Sequence, residues 1–96
     1  MEIKFKDISL GRVEARAVVK LQEGVVLNEI SVLNINGELI VEFPKKSFIA
    51  KTGRLYSFDV ISFDTEDEKT LFTIQIKDAY YEWRKKTNKV RVFNNE

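Results

Sequence analysis

Apolar residues alternate with more polar ones through Val13, Ala15, Ala17, Val19 and Leu21, with Glu14, Arg16, Val18 and Lys20 between them. This period of two marks a strand with one face buried. The run Val25 to Pro44 reads as two further strands folded back on each other at Asn36-Gly37. A type I′ turn needs positive φ at both central residues, which Gly adopts freely and Asn more readily than most. With those two residues at the turn, Ile35 faces Glu38, Asn34 faces Leu39, Leu33 faces Ile40, Val32 faces Val41, Ser31 faces Glu42 and Ile30 faces Phe43. Ile30, Val32, Leu39, Val41 and Phe43 then share one side of the hairpin, and Ser31 and Glu42 the other. Pro44 has no N–H to donate and ends the ladder. Upstream, Glu2 to Leu10 reads as a strand with a fault, because Ile3 and Phe5 lie on one face and Ile8 and Leu10 on the opposite one. A bulge or bend between Phe5 and Ile8 is expected.

After Pro44, Phe48 and Ala50 followed by Leu55, Tyr56, Phe58 and Val60 suggest a small second hairpin across Thr52-Gly53. Asp64 to Glu68 reads as a helix start, with Thr65 and Glu68 spaced as a capping box and the acids placed where the helix dipole favours them. Phe72, Ile76, Ala79, Tyr80 and Trp83 recur at steps of three and four and line one helical face. Phe72 to Lys77 also alternates like a strand, but the longer periodicity favours the helix. Lys89 to Phe93 reads as a short extended tail. The expected fold is α+β: an antiparallel meander sheet of four to five strands with a C-terminal helix packed on one face, in a single domain spanning residues 1–96.

Composition narrows the chemistry. The 96 residues include no histidine and no cysteine, which removes the imidazole base, the thiolate nucleophile and the disulfide. No Gly-rich phosphate loop is present, and no enzyme activity or cofactor is expected. Asp64, Glu66, Asp67 and Glu68 lack the spacing of a calcium loop, so helix capping accounts for them and no metal is expected. There is no apolar run long enough for a membrane span and no signal peptide, so no membrane partner is expected and the cytoplasm is the default location.

The net charge of +1 hides an uneven distribution. Lys45, Lys46, Lys51 and Arg54 fall in a segment without any acid. Lys77, Arg84, Lys85, Lys86, Lys89 and Arg91 outnumber Asp78 and Glu82 in a second basic segment. Each is either a solvated surface or a contact for a polyanion. Tyr80 and Trp83 are placed by helical spacing in the core, while Tyr81 stays open as a stacking residue.

The central stretch resembles the stage V sporulation protein G family of small bacterial septation and gene-regulatory proteins. The resemblance rests on Glu29-Ile30-Ser31-Val32-Leu33 and Leu39-Ile40-Val41-Glu42-Phe43-Pro44, at family spacing and without a gap. It extends back to Ala15 and forward, in part, to Gly53-Arg54-Leu55-Tyr56, Asp59-Val60 and the helix Ile76 to Trp83. Phe43 replaces the usual Met, the turn Gly comes one position early, the segment from Pro44 to Gly53 is two residues longer, and the family's His-Pro pair is absent. The resemblance implies a homodimer and a nucleic-acid-binding (DNA or RNA) regulator whose basic residues touch phosphate. Lys46 matches the first basic position after Pro, whereas the next falls on Ser47. The two basic segments together supply the candidate contacts, Lys45, Lys46, Lys51, Arg54, Lys77, Arg84, Lys85, Lys86, Lys89 and Arg91. Arg84, Lys85 and Lys86 are expected to lie beyond the last apolar anchor and outside the fold. The alternative is a non-catalytic protein-interaction or scaffolding module that dimerises through a sheet edge.

Overall fold

The computed structural model describes the backbone of residues 1–95 and the side chains of residues 1–86. Four strands, β1 (Glu2–Leu10), β2 (Val13–Gln22), β3 (Val25–Ile35) and β4 (Glu38–Glu42), form one antiparallel sheet in the order β1-β2-β3-β4. Strands β5 (Lys45–Ile49) and β6 (Leu55–Asp59) pair only with each other, and helix α1 (Glu66–Asn95) ends the described chain. The protein is therefore α+β, with a meander sheet and a C-terminal helix as its pattern predicts.

The turn between β3 and β4 carries the register expected from Asn36-Gly37. Their φ angles are 54° and 84°, both in the left-handed region a type I′ turn requires. The pairs run from Ile35↔Glu38 to Ser31↔Glu42 without slippage. The Asn34 side chain adds a bond, since its Oδ1 accepts the Gly37 N–H at 2.9 Å. The ladder stops before the expected Ile30–Phe43 pair. Pro44 offers no donor there, and the Phe43 ring instead packs with Phe63 and Phe72.

The predicted fault in β1 lies slightly later than the apolar pattern suggests. Its register shifts between Asp7 and Leu10, with Ser9 at φ 46°. The β2–β3 register shifts at three places the pattern does not reveal, and the middle one sets Glu29 of β3 at φ 67° between the pairs Ala17↔Ile30 and Val19↔Leu27. The extra residue restores the alternation, so Leu27 and Ile30 both pack on the helix side of the sheet.

The core lies between this face and α1. Ala15, Ala17, Val19, Ile30, Val32 and Ile76 are fully buried, and Tyr80 nearly so. Alanines line the middle of the sheet face beneath the helix, the helix backbone comes nearest to the edge strands β1 and β4, and aromatic groups close the two ends. At the β4 side, Phe43, Phe63 and Phe72 have ring centroids 5.3–5.9 Å apart. At the β1 side, Phe5, Tyr80 and Trp83 are 5.5–5.9 Å apart. The helix begins as its sequence dictates, with the Glu68 N–H donating to Thr65 Oγ1 at 3.2 Å.

At its other end, the helix corrects the sequence expectation. Lys89 to Phe93 is helical backbone rather than an extended tail. Val90 and Val92 suggest a strand by propensity, but no Gly or Pro between Trp83 and Asn95 interrupts a helix already nucleated and docked upstream.

Candidate nucleic-acid interface

The first basic segment becomes a projecting hairpin. Its pairs are Lys45↔Asp59, Lys46↔Phe58, Ser47↔Ser57, Phe48↔Tyr56 and Ile49↔Leu55. The Gly53 N–H donates to Ala50 O at 2.8 Å, and the Ala50 N–H to Arg54 O at 2.9 Å. Gly53 at φ 85° completes a turn with a left-handed Gly, the usual three-residue hairpin connection. At the base, the Val60 N–H donates to Pro44 O at 3.1 Å. Beyond this neck, β5 and β6 make no substantial contact with any other strand or with the helix.

Alternation divides the hairpin into two faces. Lys46, Phe48, Ala50, Arg54, Tyr56 and Phe58 share one, and Lys45, Ser47, Ile49, Leu55, Ser57 and Asp59 the other. Lys45 is 3.8 Å from Asp59, so the second face holds its own counter-ion, with both side chains in solvent. Lys46 shares its face with three aromatic rings, and Lys51 stands in the turn. Phe48, Tyr56 and Phe58 are 53%, 42% and 51% exposed. Phe48 stacks on Tyr56 at 5.4 Å with ring planes 20° apart, and meets Phe58 edge-on at 6.4 Å. Considering only Tyr80, Tyr81 and Trp83 for stacking misses this row. The signal was present in the spacing, because Lys46-x-Phe48 and Tyr56-x-Phe58 each repeat at two.

The second basic segment is not one surface. Arg84 folds inward, against the expectation that it lies outside the fold. Its side chain is only 14% exposed, with Nη1 3.5 Å from Asp7 Oδ2 and Nη2 3.7 Å from Glu14 Oε2. Its Nε donates to Tyr80 Oη at 3.1 Å, and the guanidinium lies 4.6 Å from the centre of the Trp83 ring. Burial works against the Arg84 charge, but the Tyr80 hydrogen bond and Asp7 outweigh it and hold the pKa above its ordinary value. The cation is thereby committed to joining α1 to β1 and β2, where Asp7 and Glu14 flank the β1 bulge.

Lys77 is half-buried, whereas Lys85 and Lys86 are exposed and Lys85 lies 4.0 Å from Glu82. The side chains of Lys89 and Arg91 lie outside the described residues. The helix crosses the sheet from β4 to β1, so the hairpin leaves at one edge and Lys85 and Lys86 follow the contacts made at the other. The two basic segments are separate. Tyr81, left open as a stacking residue, is 58% exposed and meets Tyr80 edge-on.

A third group of cations appears on the sheet face turned away from the helix. Lys4, Lys6, Arg16 and Lys20 lie there, and Lys6 stands directly opposite Arg16. Lys4 and Glu2 are 3.5 Å apart, and Lys20 and Glu23 3.3 Å apart. No two of these residues are adjacent in sequence, so only the strand register reveals the group.

Among the described residues, no group of three or more acidic side chains is arranged to hold a metal ion. No helix among them is long and apolar enough to cross a membrane. No family model, curated protein or solved structure matches the chain.

Proposed function

We propose that this chain is a small bacterial nucleic-acid-binding regulatory protein, akin to the stage V sporulation protein G family, acting in the cytoplasm without catalysis. The observation that supports it is the hairpin: Lys45, Lys46, Lys51 and Arg54 stand on one projecting element whose only acid is Asp59. A narrow arm with net positive charge can follow a phosphate backbone while the rest of the molecule stays clear. Lys85 and Lys86 form a second, separate contact. Arg84 is left out because its charge already serves the fold.

The proposal includes a homodimer. β1 and β4 each pair on one side only, and joining two such edges would extend the sheet between copies. Light scattering after size exclusion tests this part; a mass of 11.2 kDa at micromolar concentration would overturn it. The second reading, a protein-interaction module, draws on the other hairpin face, where Ile49 and Leu55 are 72% and 65% exposed.

Fluorescence anisotropy with DNA and RNA oligonucleotides at two salt concentrations separates the readings. Binding should weaken steeply with salt. Changing Lys46, Lys51 and Arg54 together to Ala should lower the logarithmic salt slope by roughly two to three. Absence of binding to every oligonucleotide at low salt would leave the protein-interaction reading in its place.

A further inference from the structure

Resting on the nucleic-acid reading, we infer that the hairpin's ligand is a single strand, with bases stacking on Phe48, Tyr56 and Phe58 and phosphates running past Lys46, Lys51 and Arg54. The three rings have no partner in the core. Each is roughly half exposed, although the chain has two other aromatic groups packed under its helix. Their only ring contacts among the described residues are with each other across the hairpin, and their outer faces are left open.

Charge and ring placement together identify the occupant. The face carrying Lys45 and Asp59 is internally paired, whereas the face carrying the rings has Lys46 and Arg54 and no acid. A purely apolar partner would leave these cations unpaired, and an acidic protein surface would meet the rings with a patchwork of apolar atoms rather than a repeated flat face. A single strand offers both an anionic backbone and the open π-faces of its bases. Duplex offers the backbone, but its base faces are already stacked on each other, and only base edges reach the grooves. The element itself suits this ligand: a narrow two-stranded ribbon, free of the sheet, exposes one continuous row of rings with a cation at each end of the row. Because Phe48 already lies nearly parallel to Tyr56, these two rings form a ready platform rather than one that must be assembled on binding.

The test compares an oligo(dT), an oligo(U) and a DNA duplex of equal length by anisotropy, using the whole 96-residue chain. Single strands should bind about tenfold or more tightly than duplex. Changing Tyr56 and Phe58 together to Leu should weaken single-strand binding about tenfold or more, with the salt slope unchanged and duplex binding unaffected. Leu keeps the surface apolar, so this pair separates base stacking from general hydrophobicity. The conservative Phe58→Trp variant offers a larger π-face and should bind at least as tightly as the parent, and Tyr56→Leu alone serves if the double variant does not fold. Equal affinity for duplex and single strands, with the Leu variants unchanged, would overturn this inference and leave the nucleic-acid reading standing. No binding to any oligonucleotide at low salt would overturn both. If the Leu variants instead shift a dimer to monomer and leave oligonucleotide affinity unchanged, a second copy covers this face and stacking is excluded.

Discussion

The four-stranded sheet and the β5–β6 hairpin are built from similar residues, yet they use them in opposite ways. In the sheet, Ala17, Val19, Ile30 and Val32 are fully buried beneath the helix. In the hairpin, every residue of both strands is exposed, including Phe48, Ile49, Leu55, Tyr56 and Phe58. A two-stranded ribbon alone is marginal in water, and this one is held by its turn, its neck hydrogen bond and cross-strand ring contacts. Apolar composition therefore says little about purpose until coverage is known. One region buries its apolar residues beneath the helix, and the other leaves them open to solvent.

The comparison is sharpest if a core residue is removed. Ile76 lies fully buried between the two aromatic groups that clamp the helix, so Ile76→Ala should cost about 2–5 kcal/mol, read as a lower urea midpoint. An unchanged midpoint would mean the helix does not dock as described. Gly37→Val places a β-branched residue at φ 84° and should cost roughly 1–3 kcal/mol, by thermal melting. Melting at the parent temperature would place the turn elsewhere.

Arg84→Ala should cost about 1–2 kcal/mol, a value held down because Asp7 and Glu14 keep partial contact with water. Lys85→Ala and Lys86→Ala should each stay within about 0.5 kcal/mol. Equal effects at all three positions would contradict the inward placement of Arg84. Smallest of all, Phe58→Ser in the hairpin should change the unfolding free energy of the sheet in urea by less than about 0.5 kcal/mol, while amide exchange in β5 and β6 becomes faster. A large loss of global stability would show that the hairpin supports the sheet after all.

The features legible in the sequence are those with local causes. Asn36-Gly37 specifies its own φ angles, and the register from Ile35 to Ser31 follows from them. Thr65 and Glu68 announce the helix start within one turn. The fate of Arg84 was hidden because its partners, Asp7 and Glu14, come from the far end of the chain and meet it only after the helix crosses the sheet. The end of the helix was hidden for a different reason: Val90 and Val92 look like strand residues, and their weak local preference yields to a helix anchored upstream. The hairpin was visible as a hairpin, but alternation shows only which side chains share a face. It does not show whether anything lies against that face.

The meander connectivity also bears on how the chain reaches its native state. Every hydrogen-bonded strand pair joins neighbours in sequence, so each can form by closing a short loop. Docking Tyr80 and Trp83 onto Phe5 is the main event that joins distant parts of the chain. Low contact order of this kind predicts refolding on the order of milliseconds, and a stopped-flow trace dominated by a phase of seconds would contradict it. The β5–β6 ribbon should form on the order of microseconds, without waiting for the helix to dock. Its aromatic row would then be in place before the core that carries it is complete.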